Sequence, residues 1–298
     1  MKNVVVLLCN PARPTLDAAI VRAAREILRA GGAIVGTADW LAADIACEIP
    51  FDGPVPAGTE TGMAMTGIDA VILPAENRRK KLLVADMEST MIENEMLDEL
   101  ADFLGLRAKI AGITARAMNG EIDFAGALTE RVGLLKGLAT SKLDEAAKRI
   151  RYMPGGATLI ATMKRHGAGC ALVSGGFTYF TAMVRDRLGF DWDAANRLAV
   201  SGSALAGTVE APILGKEAKL AALQKFAGER GIGVADAVTV GDGANDLPML
   251  KAAGLGVAFR AKPAVAAQVP ARIVHGDLTA LLYLQGYRQS DFVQKENP

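Results

Sequence analysis

Much of the usual equipment of metal and disulfide chemistry is missing from this chain. Its three cysteines, Cys9, Cys47 and Cys170, are odd in number and scattered, with no Cys-x-x-Cys spacing. That argues against a disulfide framework or a zinc cluster and fits a reducing compartment. Only His166 and His275 are present and no Gly-x-x-x-x-Gly-Lys-Ser/Thr loop occurs, so a histidine-dependent nucleophile and a nucleotide P-loop both lack support. Nowhere do eighteen apolar residues run together, and no membrane span is expected. Neither sign of charge dominates: 33 acidic and 33 basic residues cancel, so no long-range field gathers nucleic acid or an anionic membrane. The first apolar run, Val4 to Cys9, stops at Asn10-Pro11, too early for a secretory leader. It reads as a first β-strand, with the cytoplasm as the expected location.

What is present is a 298-residue chain, longer than one average domain, in which 51% of residues are hydrophobic. Two domains, or one with an insertion, and a packed Ala/Leu/Val-rich α/β or helical protein rather than a disordered one follow. A strand at 3 to 9 is followed by a helix from Thr15, a potential cap, to Ala30, and by short apolar runs at 33 to 35, 45 to 51 and 70 to 73 between Gly/Pro-rich stretches. This is a small strand–helix–strand module, 1–76. Asn77-Arg78-Arg79-Lys80-Lys81 reads as a solvated linker. Four helical periodicities fill 93–152, and strand–helix alternation then resumes through 153–288, interrupted by a hairpin at 196 to 212. A polar tail, 289–298, is expected to fray. The whole describes a doubly wound parallel sheet, residues 77–92 with 153–288, carrying a helical cap inserted after its first strand.

The stretch most telling of chemistry is Lys81-Leu82-Leu83-Val84-Ala85-Asp86-Met87-Glu88-Ser89-Thr90, an apolar run ending in two acids and two hydroxyls. It reads as a buried strand whose tip delivers carboxylates to the edge where open α/β sheets bind ligands. Two other strand ends run into small polar loops, Ser174-Gly175-Gly176 and Gly241-Asp242-Gly243-Ala244-Asn245-Asp246. Several carboxylates gathered there need a cation, and an all-oxygen ligand set favours Mg²⁺. Ser174, the Gly175 amide and Lys216 at a helix start offer donors for an oxyanion such as phosphate. Phosphoryl transfer with a carboxylate nucleophile is the chemistry this combination suggests.

Those motifs, in that order, resemble the four motifs of the haloacid dehalogenase-like phosphatases, over roughly residues 80 to 285, and most closely the members that hydrolyse phosphoserine. The resemblance implies a HAD-like Rossmannoid sheet with a helical-bundle cap. It implies Asp86 as nucleophile and Glu88, where the family usually has Asp, as acid/base. It implies Mg²⁺ held by Asp86, the Glu88 main-chain carbonyl, Asp242 and Asp246, and phosphoryl oxygens held by Ser174, Gly175 and Lys216. Asn245 would line the substrate site. In the cap, Glu95 would pair with the substrate ammonium and Arg131 with its carboxylate, while Met118 and Phe124 fall where the family keeps substrate-selecting residues. The implied reaction is hydrolysis of O-phospho-L-serine, the serine-forming step of serine biosynthesis. Another small-molecule phosphatase or phosphotransferase of the superfamily, and a phosphate-binding or sensory protein impaired by Glu88, are the alternatives. The N-terminal module is similar to ACT-like regulatory modules, or serves docking or dimerisation, with a homodimer as one candidate assembly.

Overall fold

The protein is described by a computed structural model covering residues 1–55, 60, 67–118 and 121–298, the side chains of Met118 and Lys216 excepted. Strands β1 (Asn3–Cys9), β2 (Ile34–Val35), β3 (Asp39–Ala42), β4 (Ala46–Asp52) and β5 (Ile68–Pro74) pair antiparallel in the order β2-β4-β1-β5, with β3 also on β4. Residues Val4 to Cys9 of β1 are all buried because both faces are covered. Val5, Leu7 and Cys9 pack with the Ala18–Ala30 helix, while Val4, Val6 and Leu8 join the main core. That helix is capped by Asp17, whose Oδ1 accepts from the Ala19 and Ile20 amides at 2.8 Å each, and not by Thr15. The α+β reading of the module stands; its ACT likeness remains an expectation from sequence. The Gly/Pro-rich stretches read as separators fall largely on 56–59 and 61–66, outside the described residues.

The second sheet is parallel throughout: β6 (Leu82–Ala85), β7 (Gly169–Phe177), β8 (Trp192–Asn196), β11 (Ala237–Gly241), β12 (Leu255–Phe259) and β13 (Ala271–Ile273), in the order β13-β12-β11-β6-β7-β8. All four residues of β6 are buried, as a central strand between two parallel neighbours requires. Among the described residues five helices lie between β6 and β7: Met96–Asp102, Arg107–Met118, Phe124–Gly133 and Ser141–Ala147, which fall in the stretch read as the cap, and Gly156–Arg165, which leads back into β7. The hairpin of β9 (Leu198–Ser201) and β10 (Ala204–Val209) reaches out to this cap, with Gly137 N donating to Leu205 O at 2.9 Å and Leu205 N to Leu138 O at 2.8 Å. Edge strand β8 has no counterpart in the sequence reading, because its Trp-Asp-Ala-Ala-Asn composition lacks an apolar run.

The two sheets are joined by buried contacts. The Ala280–Leu284 helix is apolar and buried at every position, as a helix enclosed on all sides must be. The supposed solvated linker is a splint. Arg78 donates to Glu48 Oε2 at 2.6 Å and to the carbonyls of Leu284 and Tyr283 at 2.9 Å each, and Arg79 lies over the Tyr287 ring at 4.2 Å. The tail does not fray: Val293 N donates to Thr162 Oγ1 at 2.9 Å and Asn297 Nδ2 to Met153 O at 2.8 Å.

Asp69 on β5 is 4% exposed, and its carboxylate accepts from the backbone amides of Val274, His275 and Gly276 at 2.8–3.2 Å. Asp69→Ala would leave three donors without their acceptor at the join between the sheets. It is expected to cost about 2–4 kcal/mol in chemical denaturation, and a loss under about 0.5 kcal/mol would contradict this role for the join.

Candidate active site

Motif residues separated by more than 150 positions meet because β6, β7 and β11 are adjacent and parallel, so their carboxyl ends share one edge. Asp86 follows β6 directly, its amide bonded to Val240 O at 3.0 Å and its Oδ1 accepting from Met87 N at 2.8 Å. Gly241 ends β11 and must lack a side chain, since a Cβ there would lie 2.3 Å from Asp246 Cγ. Asp246 is thereby folded back over the strand tip, where its Oδ2 accepts from Gly243 N at 2.8 Å. Asp86, Asp242 and Asp246 are all buried and can bring carboxylate oxygens within 4.8 Å of one another.

The cation inside this cluster is Lys219, 2% exposed, with Nζ 2.6 Å from Asp86 Oδ1 and 2.5 Å from Asp246 Oδ1. Sequence reasoning assigned the lysine role to Lys216, at the start of the same Lys216–Glu229 helix. The structure puts Lys219, one turn further along, in contact with Asp86 and Asp246; the Lys216 side chain lies outside the described residues. Burial alone would favour the neutral amine, but the charges of Asp86 and Asp246 outweigh it and hold Lys219 protonated. Burial, reinforced by Asp246, pushes the Asp86 carboxyl well above its usual range and Asp242 up to about 6. Fully ionised, these three carboxylates would exceed the one ammonium bonded to them by two negative charges. A hard divalent cation fits that excess and that all-oxygen donor set. Among the described side chains a further ammonium, Lys262 Nζ, stands 3.9 Å from Asp242 and is mostly exposed.

Glu88 is turned toward the cap. Its Oε1 accepts from Met96 N at 2.8 Å, capping the first cap helix, and its Oε2 would lie 2.7 Å from a Cβ placed on Gly176. Its side chain therefore spans from the tip of β6 to Ser174–Gly176, which the structure places within β7 and not in the loop expected after it. Burial, and then the charge of Glu95, push its carboxyl up to about 8, so at neutral pH it carries a proton. Ser174 is buried, its Oγ accepting from Gly176 N at 2.9 Å. Asn245 is half-buried in the loop after β11.

The cap residues converge on the same place. Glu95 accepts from Ser89 Oγ at 2.7 Å. Arg131, half-buried, has its Nε on Ala127 O at 3.1 Å and its Nη1 near Thr114 Oγ1 at 3.4 Å. Burial lowers its pKa against the opposing pull of Glu88, Glu95 and Asp98, which places those three carboxylates around it. Asp98 is a neighbour that sequence reasoning did not single out. Phe124 closes the space from above, its ring 3.2 Å from a Cβ built on Gly175 and 3.6 Å from one built on Gly215. Met118 lies outside the described side chains. Two more contributors escaped the sequence reading: Asn196 at the end of β8, 1% exposed, and Lys262, whose amide donates to Asp242 O at 3.1 Å. Neither sits in a recognisable motif. Among the described residues no helix is long and apolar enough to cross a membrane.

Comparison with known proteins agrees with this geometry. The pattern described as haloacid dehalogenase-like hydrolase matches residues 83–251. The phosphoserine phosphatase of Streptomyces coelicolor is 39% identical over 240 residues, 80% of this chain and 58% of that protein. The phosphoserine phosphatase of Lactococcus lactis is 43% identical over 203 residues, 68% of this chain and 94% of that protein. A solved structure described as a phospho-aspartyl intermediate analogue of phosphoserine phosphatase is 40% identical with a TM-score of 0.65, covering 69% of this chain and 98% of that one. The chain spans little more than half the length of some curated relatives it matches, 58% and 52% for two actinobacterial ones. With its acids, its lysine and its parallel sheet in these positions, the chain belongs to the haloacid dehalogenase-like hydrolase family.

Proposed function

We propose that the chain is a Mg²⁺-dependent phosphoserine phosphatase that hydrolyses O-phospho-L-serine to L-serine and phosphate through an aspartyl-phosphate on Asp86. One observation carries the reading: a buried carboxylate restrained by Lys219 at the tip of the central strand stands two residues from a carboxyl that burial keeps protonated. Lys219 gives Asp86 a direct counter-charge while Glu88 accepts from a backbone amide, which divides the roles of nucleophile and proton donor between them. The names of the matched relatives support the same substrate.

In the first step an Asp86 carboxylate oxygen attacks phosphorus, and the seryl oxygen leaves with the proton of Glu88. In the second, the Glu88 carboxylate takes a proton from water, whose oxygen attacks the aspartyl-phosphate to release phosphate and restore Asp86. Lys219 holds the attacking carboxylate and, with Ser174 Oγ and the Gly175 amide, receives phosphoryl oxygens. Asp86, Asp242, Asp246 and the Glu88 main-chain carbonyl would hold Mg²⁺, which when bound neutralises charge on the phosphoryl group. Glu95 receives the substrate ammonium and Arg131 its carboxylate, with Asn245 lining the site. Phe124, seated over Gly175 and Gly215, keeps bulk water from the phosphoenzyme.

Phosphate release from O-phospho-L-serine with and without Mg²⁺ tests the reading: turnover only with the metal is expected. Arg131→Ala should raise KM for phosphoserine about 30- to 100-fold, the ~2–3 kcal/mol of a charge-assisted pair, while leaving phosphoethanolamine, which has no carboxylate, nearly unaffected. Equal rates on both substrates, unchanged by the substitution, would overturn the amino-acid assignment. Because Glu88 must be protonated to assist the leaving group, the single-turnover rate of phosphoenzyme formation should fall as pH rises through about 8. Glu88→Gln should slow both half-reactions and remove that pH limb; unchanged steady-state turnover would exclude Glu88 from the mechanism. Mg²⁺ binding must displace the protons that burial favours on Asp86 and Asp242, so its affinity should weaken as pH falls through about 6, with proton release visible by calorimetry in buffers of differing ionisation enthalpy.

A further inference from the structure

Between Val173 and Phe177, strand β7 leaves its register: Val173 pairs with Ala194 and Phe177 with Asn196, so Ser174, Gly175 and Gly176 stand against one residue of β8. The gap is filled by the side chain of Asn196, which is 1% exposed. Its Nδ2 donates to Gly175 O at 2.8 Å and to Leu214 O at 3.3 Å, and its Oδ1 accepts from Leu214 N at 2.7 Å. One carboxamide thus joins the Ser174–Gly176 stretch to the segment that leads into the helix of Lys219. A carboxylate lacks the donors for this and a hydroxyl the second arm.

We propose that Asn196 is a positioning residue that sets the Ser174 hydroxyl for the phosphoryl group; this rests on the phosphatase reading above. The peptide between Gly175 and Gly176 is planar, and both its ends are tied, the carbonyl to Asn196 and the amide to Ser174 Oγ at 2.9 Å. Since Ser174 Oγ is the acceptor there, its own proton is left to donate outward. Releasing the carbonyl frees the peptide to rotate, and the serine rotamer with it. The same amide also fixes the height of Gly175 and of the Leu214–Gly215 backbone, the floor on which Phe124 rests. A residue with only a structural role would lower stability without acting through Ser174.

A double-mutant cycle separates the two roles. Asn196→Asp keeps the acceptor for Leu214 N but cannot donate to Gly175 O. It should lower kcat/KM for O-phospho-L-serine about tenfold in the folded enzyme, short of the roughly hundredfold cost of an ångström of misplacement. In a Ser174→Ala background the same substitution should cost a clearly smaller factor, because only its hold on the Gly175 backbone is left to lose. Equal factors in the two backgrounds, or an unchanged kcat/KM for Asn196→Asp, would overturn the proposal. If Asn196→Asp does not fold, Asn196→Ser carries the same cycle. If the unsubstituted chain fails to hydrolyse phosphoserine, the phosphatase reading falls. The cycle is then read as affinity for inorganic phosphate with Mg²⁺ present, and coupling or additivity there decides the positioning role alone.

Discussion

A single buried ammonium holds the site together. Lys219 lies between Asp86 and Asp246, one at the tip of β6 and the other in the loop after β11, and without it two buried carboxylates would face each other with no counter-charge. Breaking a buried pair by removing one partner typically costs several kcal/mol, so Lys219 is as much a condition of the fold at this edge as of any chemistry. The pair is also unfinished, because three acids exceed one lysine. A site left short of positive charge in this way favours a divalent cation.

The architecture serves that edge from two sides. Parallel strands bring three strand ends to one line, and the insertion between β6 and β7 turns back so that cap residues face those ends. Glu88 belongs to both layers. It starts on the strand tip, yet its carboxylate caps the first helix of the insertion, which ties the proposed proton shuttle to the position of the cap. The extra methylene of glutamate over aspartate lengthens the span from strand to helix end and does not leave the carboxyl stranded in solvent.

Legibility in the sequence followed burial. The β6 run could be read because a strand covered on both faces must be continuously apolar, and the acids at its end are then conspicuous. The four cap helices could be read because their periodicity is local. Lys219 could not be separated from Lys216 because residues three apart share a helix face, and the contact of Lys219 with Asp86 is visible only in three dimensions. Strand β8 gave no signal, and Asn196, its last residue, reads in sequence as the start of the hairpin, since an edge strand of mixed polarity has no pattern and a carboxamide that satisfies backbone groups belongs to no motif. Arg78 misled for the opposite reason: a basic run looks solvated, while its hydrogen bonds to Tyr283 and Leu284 carbonyls are long-range and invisible in one dimension.

The N-terminal sheet is continuous with the catalytic one in a physical sense. Val4, Val6, Leu8 and Val71 belong to the same apolar cluster as Leu83, Val240 and Leu281, and the Ala280–Leu284 helix is buried at every position. Neither sheet can separate without exposing the interior of the other. The two layers therefore melt as one cooperative unit, and a ligand bound at the carboxylate edge would also protect the distant β1 amides from hydrogen exchange.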